Sequence, residues 1–194
     1  MNFAVIIGLG NPGPPYDRSR HNIGWRVLDQ LVTADQNKWS SWKLEKDAIV
    51  THRTYMNTKI FALKPQTFMN DSGAAVSRFV IFYKVRLDRL WVVHDDVDLP
   101  FGELRSAFDR GSAGHRGVES ITEHLGSQAF NRLRIGVGSN RAIGMASEDY
   151  VLQPFTDEEE QQLVGKDGVI AKAVDLLSRQ LVSLTHEHKK EDGA

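Results

Sequence analysis

The stretch that most limits what this chain can become is Ala4–Asn22, AVIIGLGNPGPPYDRSRHN, where an apolar run stops at a loop carrying three glycines and three prolines. Phe3 to Leu9 is continuously apolar and bounded by Gly and Pro, the pattern of a strand buried on both faces. The loop then delivers Asn11, Tyr16, Arg18, Arg20 and His21 in quick succession. Gly8-Leu9-Gly10-Asn11-Pro12-Gly13 has the spacing of a dinucleotide-binding turn. That motif holds pyrophosphate on backbone N–H groups opening a helix, and Pro12, Pro14 and Pro15 have none to offer. Pro14 also turns Gly13 away from helical geometry. Asp29 and Asp35, near the distance of a ribose-binding acid, fall in or just after a helical pattern. A nucleotide cofactor is therefore not expected, and the loop reads as a rigid arm presenting Asn11 and His21.

The chain has 194 residues and no cysteine, so disulfides, thiolate nucleophiles and cysteine-bound metals are excluded. One domain, residues 1–185, is expected, followed by a polar and disordered tail at 186–194. No basic segment followed by a long apolar one opens the chain, and no apolar run approaches membrane-spanning length, so a cytoplasmic location is expected. The net charge of −1 hides segregation: Arg105 to Arg141 holds six Arg against three acids, whereas Ala142 to Ala194 holds five basic residues against eleven acids. A local basic face could meet a polyanion, although a solvated helix surface would carry the same pattern.

Helical spacing of Val27, Leu28, Leu31 and Val32 predicts a helix over 24–32, and the polar connection after it carries Trp39 and Trp42 as lids on the core. Ala48–Tyr55 and Lys59–Leu63 predict a hairpin. Helices are predicted over 72–83, 118–125 and 169–184, and strands over 90–93, 102–108 and 132–138. Thr156 with Glu159 forms a capping box for one more helix. Strands alternating with helices predict a single α/β domain: a mixed, mostly parallel twisted sheet with helices on both faces. Ligands of such sheets bind beyond the carboxyl ends of strands, which selects the loops after Leu9, Val93 and Phe108.

Those loops, with the strand-to-helix junction at Asn70, offer Asn11, His21, Asn70, Asp95 and His115. No GxSxG elbow is present for a serine nucleophile. His21, His94, Asp95, Asp96, Asp98 and His115 could cluster around a metal, yet no known ligand spacing appears among them. Water activated by an imidazole, itself oriented by a carboxylate, fits best, with His21 and Asp95 as the pair. A loop histidine bonded to backbone, and carboxylates that only form a turn, are the structural alternatives.

GLGNPGPPYDRSRHNIGW, KPQTFMNDSG, VVHDDVDLPFGELR, RLRIGVG and YVLQPFTDEE, in that order, resemble the signature segments of the bacterial-type peptidyl-tRNA hydrolase family, from Phe3 to about Leu184. The resemblance implies a monomeric esterase, without metal or cofactor, that cleaves the ester between a peptide and the 3′-terminal ribose of tRNA. It implies His21 as base and Asp95 as its orienting carboxylate. Asn11 and Asn70 would hold the peptide backbone, the ester carbonyl or the attacking water, with Tyr16 and Met69 as walls. Arg105 and Arg134 match positions that face the tRNA. One loop departs from the family's usual GSAGGHNG: Gly111-Ser112-Ala113-Gly114-His115-Arg116-Gly117 is one glycine short and has Arg116 for Asn. His115 carries over, the amide does not, and Arg116 becomes a cationic donor for an oxyanion or a phosphate. The departure leaves open a second reading, a catalytically weakened paralogue that binds RNA.

Overall fold

The computed structural model describes residues 2–35, 38–139 and 144–186, with side chains to residue 183. A seven-stranded sheet has the order β2-β3-β4-β1-β5-β7-β6, built from β1 (Asn2–Gly8), β2 (Lys43–Glu45), β3 (Ala48–Tyr55), β4 (Thr58–Pro65), β5 (Leu90–Asp96), β6 (Leu104–Phe108) and β7 (Asn131–Gly136). The four central strands, β4, β1, β5 and β7, are parallel, and antiparallel pairs close both edges. This is the expected mixed α/β sheet.

The two faces are covered by different helices. Alternate residues of the central strands, Ala4, Ile6, Ile60, Ala62, Trp91 and Val93, share one apolar cluster with α1 (Ile23–Thr33) and α6 (Val169–His186). The intervening residues Val5, Ile7, Phe61, Leu63, Leu90 and Val92 pack against α2 (Ser72–Tyr83) and α3 (Arg116–Leu125). Two buried faces explain why β1 is an unbroken apolar run and not an alternating one. Trp39 belongs to the first cluster and Trp42 packs against it. The capping box of Thr156 and Glu159 opens α5 (Asp157–Leu163), preceded by the short α4 (Ser147–Leu152).

Three expectations need correction. β5 does not end at Val93: His94, Asp95 and Asp96 remain in register with Arg134, Ile135 and Gly136 of β7. Asp95 therefore sits on a buried strand end, not in a loop. β2 lies in the stretch read as connection, joined to β3 through Lys46 and Asp47 at φ 51° and 61°. Without Gly or Asn, that tight turn has little sequence signature. Finally, β6 is antiparallel to β7, so Phe108 ends opposite Asn131, at the end of the sheet remote from the carboxyl ends of β1 and β5. The loop after it must travel back before it can reach a site, and buried Arg132 holds it on the way by donating to Gly111 O at 2.8 Å. The proposed tail lies outside the described residues apart from the end of α6.

Backbone packs on backbone where the opening strand meets α1. A Cβ on Gly24 would fall 2.5 Å from Val93 O and 2.6 Å from Leu9 N. Gly24→Ala must therefore push α1 off the sheet, and overpacking of this kind costs about 1–3 kcal/mol. A melting temperature lowered by roughly 2–12 °C is expected, read by thermal denaturation; an unchanged melting point would show that α1 is not seated this closely.

Candidate active site

Three segments converge beyond the carboxyl ends of β1 and β5. The first is a single 3-10 turn, Arg20–Asn22, that enters α1 and buries His21. The second is the end of β5, where Asp95 is 1% exposed. The third is the N-cap of α3, His115. His21 Nδ1 and His115 Nε2 lie 2.8 and 2.9 Å from the same atom, Asp95 Oδ1.

Proton positions follow from the partners. Gly117 and Val118 donate their N–H groups to His115 Nδ1 at 3.2 and 3.3 Å, so that nitrogen accepts and the ring proton is on Nε2, aimed at Asp95. A carboxylate oxygen accepts as well, so His21 carries its proton on Nδ1 and keeps the lone pair on Nε2. Burial opposes charge on Asp95, but His21 and His115 outweigh it and hold the carboxyl far below the usual carboxylate range. His94 stands behind this group, its Nδ1 donating to Asp95 O at 2.7 Å. Burial, reinforced by the neighbouring His115, drives the His94 pKa well down and keeps the ring neutral.

The same hydrogen bonds bear on a metal. Ligand atoms of His21, Asp95 and His115 all lie within 4.8 Å of one another, a spacing that could hold an ion. A metal on His115 Nε2 would need the proton moved to Nδ1, where two backbone N–H groups already point. That mismatch favours a proton-carrying cluster over a metal site.

A crevice of about 590 Å³ opens onto His21, lined also by Asn11, Tyr16, Phe68, Met69 and Asn70 on one wall. Asn11 is held on three sides: its N–H donates to Asn22 Oδ1, its carbonyl accepts from Asn22 Nδ2, and its Oδ1 accepts from Met69 N–H at 2.7 Å. With Oδ1 committed, Nδ2 is the donor left over. Asn70 is exposed in the turn preceding α2, and Met69 is buried. The opposite wall carries His115, Arg116 and, from α4, Glu148 and Asp149. The site residues named from sequence thus meet in one place, except Arg105 and Arg134. These two face each other across β6 and β7, with Arg134 Nε donating to Asp96 at 2.6 Å and Arg105 Nε to Glu103 at 2.5 Å.

Several residues around the site carry little signature in the sequence. Phe68, 59% exposed, meets Tyr16 edge to face at 6.3 Å between centroids. Asn22 braces Asn11, and Arg20 reaches Val137 O and, with both terminal nitrogens, Glu159. Only Asn22 had a readable signal, its place directly after His21.

The family model described as peptidyl-tRNA hydrolase matches residues 5–192. The chain belongs to the peptidyl-tRNA hydrolase family. It is 40% identical to a peptidyl-tRNA hydrolase of Aquifex aeolicus, covering 98% of this chain and 96% of that one. It is 44% identical to one of Carboxydothermus hydrogenoformans, covering 88% and 89%. The crystal structure of peptidyl-tRNA hydrolase from Acinetobacter baumannii superposes with a TM-score of 0.76 at 29% identity, over 90% of this chain and 84% of that one. The loop before α3 brings His115 to Asp95, and no helix among the described residues is long and apolar enough to cross a membrane.

Neutral, buried His94 makes folding sensitive to pH. Its pKa is lower in the folded chain than unfolded, so the unfolded chain takes up a proton that the folded one refuses as pH falls below about 6.5. Stability is then present above that value and lost below it, by at most about 1.4 kcal/mol per pH unit for this one group. Urea unfolding between pH 7.5 and 5 should show the decline, and His94→Gln should flatten it; a parallel decline in the variant would assign it to other groups.

Proposed function

We propose that the chain hydrolyses the ester joining a peptide to the 3′-terminal ribose of tRNA, with His21 as general base toward water and Asp95 as the carboxylate behind it. The observation that carries this is the bond from His21 Nδ1 to a fully buried, ionised Asp95. It leaves Nε2 as acceptor in the crevice and stabilises the imidazolium that forms when water is deprotonated. The hydroxide adds to the ester carbonyl, and the tetrahedral oxyanion takes hydrogen bonds from the amide of Asn11 or Asn70. The imidazolium returns its proton as the ribose oxygen leaves, so peptide and tRNA part with the base restored. Asn11 suits the oxyanion role because its Oδ1 is already anchored on Met69, so Nδ2 needs no reorganisation. Tyr16 and Met69 serve as walls, and His115 orients Asp95 from the other side.

No metal or nucleotide cofactor has a part in this mechanism. We place the enzyme in the cytoplasm with its substrate, acting as a monomer. The intact His21–Asp95–His115 geometry supports an active enzyme over a paralogue that only binds RNA. On the tRNA itself, Arg105 and Arg134 would contact phosphate, fixing position without reading sequence.

His21→Ala is expected to lower turnover of a purified peptidyl-tRNA by about 10²–10⁴-fold while leaving tRNA affinity nearly intact. Near-normal turnover would remove His21 from the role of base. Release of peptide by the unmodified enzyme should persist in excess chelator. For the basic edge, affinity should fall with salt, and Arg105→Ala or Arg134→Ala should each lower the log–log slope by roughly one; unchanged slopes in both would remove that edge from the footprint.

A further inference from the structure

The crevice is acidic, yet its proposed substrate ends in phosphodiesters. Among the described residues that line it, five are carboxylates, Asp95, Asp96, Asp98, Glu148 and Asp149, and only Arg116 carries a permanent positive charge. Asp95 is bonded to His21 and His115, and Asp96 to Arg134. Arg116 at the start of α3 is ion-paired at 2.5 Å with Glu148 of α4, so the pair bridges two segments of the crevice wall. Both side chains are more than half exposed, 56% and 67%. Ion pairs so open to water are weak and exchange readily.

We propose that Arg116 binds the phosphodiester next to the 3′-terminal ribose of the tRNA, and that Glu148 is the counter-ion it gives up to do so. The proposal rests on the ester-hydrolase reading above. Arg116 directly follows His115, whose ring is bonded to Asp95, so a charge held there is close to the reacting ester. Peptides differ from one substrate to the next and offer no constant anion. The phosphate one ribose away from the ester is always present, and a guanidinium can meet two of its oxygens at once. Arg105 and Arg134 are not among the residues lining the crevice, so they do not substitute for it. In the free protein Glu148 holds the guanidinium against that wall of the crevice and adds one more negative charge against the incoming RNA.

The test is single-turnover hydrolysis of an N-acetylated peptidyl-tRNA whose peptide has no acidic side chain. Arg116→Ala should raise the half-saturating enzyme concentration roughly tenfold, with the maximal rate within about threefold of the unmodified enzyme, and Arg116→Lys should recover most of the loss. Glu148→Gln should lower that concentration by about 2–4-fold, the range of an exposed ion pair, and should have no effect when Arg116 is already Ala. Peptidyl-adenosine with and without a 5′-phosphate identifies the partner: the Arg116→Ala penalty should appear only with the phosphate. An equal penalty on both compounds, or unchanged half-saturation with tRNA, overturns the proposal while leaving ester hydrolysis standing. If the unmodified protein released no peptide, the function reading would fail instead. Titration with a CCA trinucleotide would still decide the Arg116 assignment, because the Ala variant must bind it more weakly.

Discussion

One oxygen atom, Asp95 Oδ1, is where the fold and the site depend on each other. A carboxylate buried this deeply is costly unless it is paired and hydrogen-bonded, and here two imidazoles meet it from two different segments of chain. Neither imidazole is free to choose its tautomer. His115 caps α3 through Nδ1, and that local requirement of a helix end places its proton on Nε2, toward Asp95. The cap of one helix thereby helps to keep ionised the carboxylate that orients His21. Loss of the capping geometry would reach the base through a single intervening atom.

His21 is braced from behind by the residue before it. The Arg20 guanidinium donates to Val137 O and to both oxygens of Glu159, and lies over the rings of Tyr150 and Phe155 at 4.5 and 4.8 Å. Arg26, one turn into α1, makes a two-pronged pair with Glu160. The acidic start of α5 thus serves a purpose that charge counting alone does not reveal. Glu159 closes its own capping box on Thr156 and at the same time holds the turn that presents the base. A guanidinium bonded through both terminal nitrogens and stacked on its faces resists displacement better than a surface ion pair.

Much of this was legible in the chain. Two-sided burial was written in β1, and the Pro-rich stop after it delivered Asn11 and His21 to one crevice. Two kinds of feature were not legible. Short elements such as β2 and α4 lack the length over which a period declares itself. Asp95 has no strand signature because charged residues are depleted from central strands, and only the bonds from His21 and His115, distant in sequence, make a carboxylate tolerable there. The return of the loop after β6 depended on strand direction, a property of the whole sheet. The Arg116–Glu148 pair joins residues that share no local pattern at all.

The distribution of charge around the crevice constrains how far the RNA can enter. Arg105 and Arg134 stand side by side on the antiparallel β6–β7 edge, whereas the crevice lining is dominated by carboxylates. If Arg105 and Arg134 give up part of their pairing with Glu103 and Asp96 to meet phosphate, as proposed, a polyanion is held at the first and repelled by the second, and the repulsion is strongest inside a cleft with low-dielectric walls. On the proposed function, the rest of the phosphate backbone then stays outside, and only the terminal ribose with its ester and the one phosphate beside it passes the acidic rim. Such an arrangement rejects internal RNA, which would have to bring a phosphate on both sides of every ribose into the crevice. A free 3′ end brings only one, and Arg116 is the single fixed cation among the described lining residues that can receive it. End specificity then follows from counting charges in the crevice and requires no base to be read.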